Sequence, residues 1–196
     1  MTKISVVLCG VGGQGVITAA NILGKAAVNA EVDVYASEVH GMAQRGGSVF
    51  CTVRMGDVSG PLVASGTADA LISMEPIETL RYIHFADEKT KVVTDITPMV
   101  PFTVSVGSDT YPPLPAVFEE LEAKTNLYKV DALKIARDAG AAITKNTVML
   151  GTLAATNVLP FEDKILLDTI LGTVPAKFKS INEKAFQGGI EAVLSR

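Results

Sequence analysis

The chain has 196 residues, 48% hydrophobic and 19% charged, with a net charge of −4. That balance excludes a disordered chain, and the absence of any Lys/Arg cluster argues against a nucleic-acid partner. Aromatic residues are only 6% and Trp is absent, so the core must be Val, Ile, Leu and Ala, as suits a mostly parallel sheet covered by helices.

In chain order, "KISVVLC" is a β-branched run that breaks into glycine. It reads as a strand, not as a signal peptide or a membrane span. A helix follows over residues 14–28. "VDVYAS" is a second strand, "GGSVFCTVRMG" a third and "ADALISM" a fourth. "PIETLRYIHFA" opens with Pro76 at a favourable first-turn position and reads as a helix. "TKVVTDI" is a fifth strand, after which "TPMVPF" and "YPPLP" are proline-rich connections. "VFEELEAKTN" is a short amphipathic helix or turn, and "ALKIARDAG" is a helix closed by Gly140. From Thr144 onward the chain reads as helical. Gly151, Ala154 and Ala155 would let another helix or subunit approach closely. This order predicts a three-layer, Rossmann-like α/β domain over residues 1–196, with a mostly parallel sheet and a helical last third.

Cys9 and Cys51 are the only cysteines, each within an apolar run. They read as reduced core thiols of a cytoplasmic protein. They cannot supply the four ligands of an iron–sulfur cluster.

Gly10, Gly12 and Gly15 spell G-x-G-x-x-G at the end of the first strand, with Gly13 and Gln14 between them. Such a turn offers free N–H groups at a helix start and suits an anion. With Glu38 near the end of the second strand, it fits a dinucleotide site. It equally fits a tight turn that needs glycine for packing. A second glycine-spaced stretch, "SEVHGMAQRGGSVFCTVRMG", follows at once. There Gly41, Gly46 and Gly47 surround His40, Gln44 and Arg45. This second loop would crowd an adenosine pocket and suits a surface that meets another chain or a carried acyl group.

Among single residues, Arg45 offers a guanidinium fork to a phosphate or carboxylate, or a salt bridge to a partner. Gln14 and Gln44 suit backbone contacts across a subunit boundary. His40 has the pKa class of a proton carrier but no readable partner. His84 caps a helix end or faces solvent, Asp95 caps a turn, and Asn146 is an N-cap for the helix after it.

"GVGGQGVITAANILGKAA" followed by "ASEVHGMAQRGGSVFCTVRMG" resembles the gamma-type subunit or domain of 2-oxoacid:ferredoxin oxidoreductases. The "SEVHGMAQRGGSV" form is most similar to the small (beta) subunit of the indolepyruvate-type enzymes. The resemblance implies an accessory subunit without catalytic residues of its own. It would sit in a complex that oxidatively decarboxylates a 2-oxoacid, an aryl-pyruvate such as indolepyruvate, to an acyl-CoA with electrons passed to ferredoxin. It also implies that this chain binds no cofactor or metal. Thiamine diphosphate, magnesium and iron–sulfur clusters would belong to a larger partner subunit, with coenzyme A used by the complex. The two glycine loops would be partner-contacting ground, and a homodimer of the isolated chain stays open. The alternative is a stand-alone NAD- or FAD-binding oxidoreductase.

Overall fold

The structure, a computed structural model, describes residues 3–40, 46–100 and 102–194. β1 (Lys3–Val11) leads into α1 (Val16–Asn29), then β2 (Val34–His40), β3 (Ser48–Gly56) and β4 (Ala70–Ser73). α2 (Pro76–Tyr82), β5 (Lys91–Asp95), the single turn α3 (Phe102–Ser105), α4 (Leu114–Lys124) and β6 (Asn126–Val130) follow. The rest is helical: α5 (Ala132–Ala139), α6 (Lys145–Ala155), α7 (Asp163–Thr173) and α8 (Lys179–Leu194).

The six strands lie in the order β2-β3-β1-β4-β5-β6. β1, β4, β5 and β6 run parallel, whereas β3 is antiparallel to both β1 and β2. One feature departs from the sequence reading: a sixth strand exists, in which Leu127 and Val130 of "NLYKV" are buried, and the segment pairs with β5. β3 is inserted between β1 and β2.

Side-chain alternation along β1 divides the core. Ile4, Val6 and Leu8 face one layer with Ala19 and Leu23 of α1, Leu150 of α6, Leu166 of α7 and Phe186 of α8. Val7 and Cys9 face the other, with Val117 and Leu121 of α4. A strand buried on both faces must be apolar at every position, which is why β1 reads as a continuous hydrophobic run.

The helical third packs unusually tightly. A Cβ on Gly151 would lie 2.1 Å from the Phe186 carbonyl oxygen, and one on Gly189 would lie 2.1 Å from that of Val148. α6 and α8 therefore touch backbone to backbone, the close helix approach expected at Gly151. Gly140, in a left-handed conformation (φ 124°), ends α5 as expected.

Candidate functional site

α1 leaves β1 over one face of the sheet and α2 leaves β4 over the other, so a crevice opens between these strands at their carboxyl ends. In open α/β sheets this is where ligands bind. Here the chain's own Gln14 bridges its base. The Val11 N–H donates to Gln14 Oε1 at 2.8 Å, and Gln14 Nε2 donates to the Met74 carbonyl at 3.0 Å. A Cβ on Gly10 would lie 2.8 Å from Gln14 Oε1 and 2.9 Å from Met74 Cβ, so the first glycine of the pattern makes room for this internal bridge. The Gln14 amide makes these bonds within the chain.

The second glycine loop consumes more of the first. The Gly12 N–H donates to the Gly47 carbonyl at 2.8 Å, and the Gly46 N–H to the Gly12 carbonyl at 3.2 Å. Gly13 (φ 102°) and Gly15 (φ 84°) take left-handed conformations that turn the chain into α1. A Cβ on Gly15 would meet Asn146 Nδ2 at 3.2 Å. The two loops are thus stitched together by backbone, and the N–H of the central glycine is committed.

Glu38 does not stand at the end of a strand adjacent to β1. It lies inside β2, opposite Cys51 of the intervening β3. It nevertheless lines a hollow of about 490 Å³ with Gly12, Gly13, Gly15 and Thr18. The backbone of His40 closes β2. Its side chain lies outside the described residues, as do Gly41, Gln44 and Arg45.

Three buried carboxylates, none singled out as a site residue by sequence, organise the crevice wall. Asp95 is fully buried. Its Oδ2 lies 2.6 Å from Lys145 Nζ, which also donates to the Met74 carbonyl at 3.1 Å, while its Oδ1 accepts from the Thr97 N–H. The turn cap expected of Asp95 is present, with an ion pair added. Glu75 caps α2 through the Glu78 N–H and also accepts from the Met99 N–H and the Tyr111 hydroxyl. Burial, and the carboxylate it faces, push the Tyr111 hydroxyl up from its ordinary value. Glu78 accepts from Ser48 and from Arg81, and Tyr82 contacts the same Ser48 hydroxyl at 2.9 Å, so the stem of the second loop is fastened to α2. The signal available in sequence was "EPIE", an acid before a helix-starting proline and another three residues on.

Asn146 is not an N-cap. α6 begins at Lys145 with Thr144 as its cap, and Asn146 lies one position inside. His84 is exposed, with Nδ1 3.2 Å from the Arg81 carbonyl at the end of α2.

Neither cysteine suits a cluster. Cys9 faces the α4 layer and Cys51 the α1 layer, on opposite sides of the sheet. Burial pushes the Cys9 thiol up, and Cys51 up to about 11. An iron–sulfur cluster therefore does not fit the donor set of this chain. Among the described residues no helix is long and apolar enough to cross a membrane.

Fold and crevice together define a Rossmann-like α/β protein whose glycine turn is tied to its own glutamine and to a second glycine loop. The chain belongs to the pyruvate ferredoxin/flavodoxin oxidoreductase family, whose profile matches residues 5–192. It is 43% identical over 195 residues to indolepyruvate oxidoreductase subunit IorB of Pyrococcus horikoshii, covering 98% of this chain and 96% of that protein. The protein of the same name from Thermococcus kodakarensis is 41% identical over the same shares. In fold, the chain is similar to the gamma subunit of a keto/oxoacid ferredoxin oxidoreductase from Geobacter sulfurreducens, with a TM-score of 0.72 at 24% identity over 98% of this chain and 99% of that one. It is also similar to 32% of the 2-oxoglutarate:ferredoxin oxidoreductase chain from Magnetococcus marinus, with a TM-score of 0.75 at 18% identity over 100% of this chain. The chain is a small subunit of an oxidoreductase of the 2-oxoacid:ferredoxin type.

Proposed function

We infer that this chain is the accessory subunit of a cytoplasmic complex that oxidatively decarboxylates an aryl-pyruvate, with indolepyruvate the leading substrate. Carbon dioxide leaves, the acyl group passes to coenzyme A, and an electron pair passes to ferredoxin. Thiamine diphosphate, magnesium and the iron–sulfur clusters are held by a larger subunit. The observation that carries this reading is the 43% identity, over nearly the whole chain, to a protein named as an indolepyruvate oxidoreductase subunit.

The chain's own contribution is a stiff docking platform. The stitched loops at Gly12 and Gly46–Gly47, fastened through Ser48 to Glu78, present a fixed surface to the larger subunit. With Gln14 bridging the base of the β1–β4 crevice, the stand-alone dinucleotide enzyme has in its favour only the glycine pattern and the hollows that the glycine loop lines.

The test is reconstitution with the larger subunit, followed by coenzyme A-dependent dye reduction across a panel of 2-oxoacids. Aryl-pyruvates should give the highest kcat/KM. A preference for pyruvate or 2-oxoglutarate would remove the substrate assignment. Failure of the two subunits to associate would remove the whole reading.

A further inference from the structure

Two adjoining hollows of about 560 and 460 Å³ lie at the carboxyl end of the sheet and between α1 and the helical third, respectively. Gly13, Gln14 and Gly15 form part of the wall of the first, so this surface continues directly from the glycine loop. Thr18, Ile143 and Asn146 border both hollows, and Ile143 stands between them with 86% of its surface exposed. Met99 on the far wall of the first and Phe178 on the wall of the second are each 39% exposed. An aliphatic side chain that bare, flanked by two concavities with apolar walls, is costly in water and marks an interaction surface.

Charge narrows the occupant. The protein is acidic overall, with a net charge of −4, yet among the described residues no acidic side chain lines either hollow. The charged side chains on the walls are Lys25 and Lys145, and Lys177 lies 4.9 Å over the Phe178 ring. Lys145 is already paired with Asp95, so Lys25 and Lys177 carry the unbalanced charge at the rim. The relief spans two separate hollows with a ridge between them. That extent fits a folded partner segment better than one small ligand.

We propose that the Ile143 ridge and its two hollows are a second docking surface for the larger subunit, receiving a segment that carries apolar side chains and at least one carboxylate. This rests on the reading of the chain as an accessory subunit. It adds a contact face that is separate from the second glycine loop and contiguous with the first.

The test measures assembly of the purified chain with the larger subunit from the same organism by calorimetry, at low and moderate salt. Ile143→Glu should keep the thermal midpoint of the isolated chain and weaken assembly at least tenfold. Val28→Glu, another exposed apolar position (63%) at the opposite end of α1, should leave assembly unchanged. Lys25→Glu carries the test independently of Ile143: it should weaken assembly and reduce its salt sensitivity. If wild type assembles and both Ile143→Glu and Lys25→Glu assemble equally well, the proposal falls while the subunit reading stands. If wild type does not assemble, the subunit reading itself falls. Unchanged assembly with a raised KM for a substrate would assign the hollows to a small ligand. Loss of a dimer of the isolated chain, with assembly intact, would assign them to a second copy. Either result overturns the proposal.

Discussion

Gln14 reaches from the start of α1 across the β1–β4 gap and donates to the Met74 carbonyl at 3.0 Å. A polar side chain thereby bridges the base of the cleft that gives this class of sheet its usual nucleotide site. The same amide takes the Val11 N–H, so two strands and one helix are tied at a single residue.

Gln14→Ala should cost about 1–3 kcal/mol, because it strips the partner from the partly buried Val11 N–H and leaves the Met74 carbonyl with Lys145 alone. Urea denaturation reads the loss directly. The variant should stay folded, and wild type should bind neither NAD nor FAD in calorimetry. Micromolar binding to wild type would mean that the bridged cleft still admits a dinucleotide.

At the α6–α8 contact, Gly151→Ala should destabilise by about 3 kcal/mol, since the new methyl would displace the Phe186 backbone. Gly24, within α1, has nothing within 4 Å of its Cβ position. Gly24→Ala should therefore stabilise by roughly 0.5–1 kcal/mol through helix propensity. Opposite signs of the two shifts in thermal midpoint are the expected result.

The Lys145–Asp95 pair is largely buried, with the lysine side chain 14% and the aspartate 0% exposed. Lys145→Met strands a buried carboxylate and should cost about 3–5 kcal/mol. The double variant Lys145→Met with Asp95→Asn should recover much of that loss. A double-mutant cycle gives the coupling, and simple additivity would show that the two groups do not act as a pair.

Alkaline pH should destabilise the fold through its thiols. Cys51 titrates near 9.0 when unexposed to the fold's environment and is pushed up to about 11 within it. The unfolded chain therefore releases its proton first. Stability is fully present below pH 9 and declines between about 9 and 11, by an amount on the order of 2 kcal/mol. Cys9 and Tyr111 are shifted in the same direction and extend the decline upward. Denaturation midpoints of wild type and Cys51→Ala between pH 8 and 11 should show a shallower slope for the variant.

Much of the architecture was legible because burial on both faces forces continuous β-branched runs. β1 and β5 carry that signature, β3 and β4 are apolar runs bounded by glycine or a loop, and Pro76 and Gly140 mark helix ends by their backbone restrictions. β6 was hidden because "NLYKV" buries only Leu127 and Val130 and follows an amphipathic helix without a break. Strand order was not readable. The insertion of β3 between β1 and β2 depends on pairing between distant segments; it takes Glu38 off a strand adjacent to β1, although Glu38 still lines a hollow with the glycine loop. Gln14 was noticed for its position, but its bond to Met74 spans 60 residues of sequence and leaves no local trace. Family membership was legible from the paired glycine stretches, whose combination is far more specific than either alone.

As an accessory subunit, this chain should turn over 2-oxoacids only together with the larger subunit. Indolepyruvate- and coenzyme A-dependent reduction of a viologen dye, assayed with this chain alone, with the larger subunit alone and with both, should show no activity from this chain alone and robust activity from the pair. Turnover by the isolated chain would overturn the accessory role.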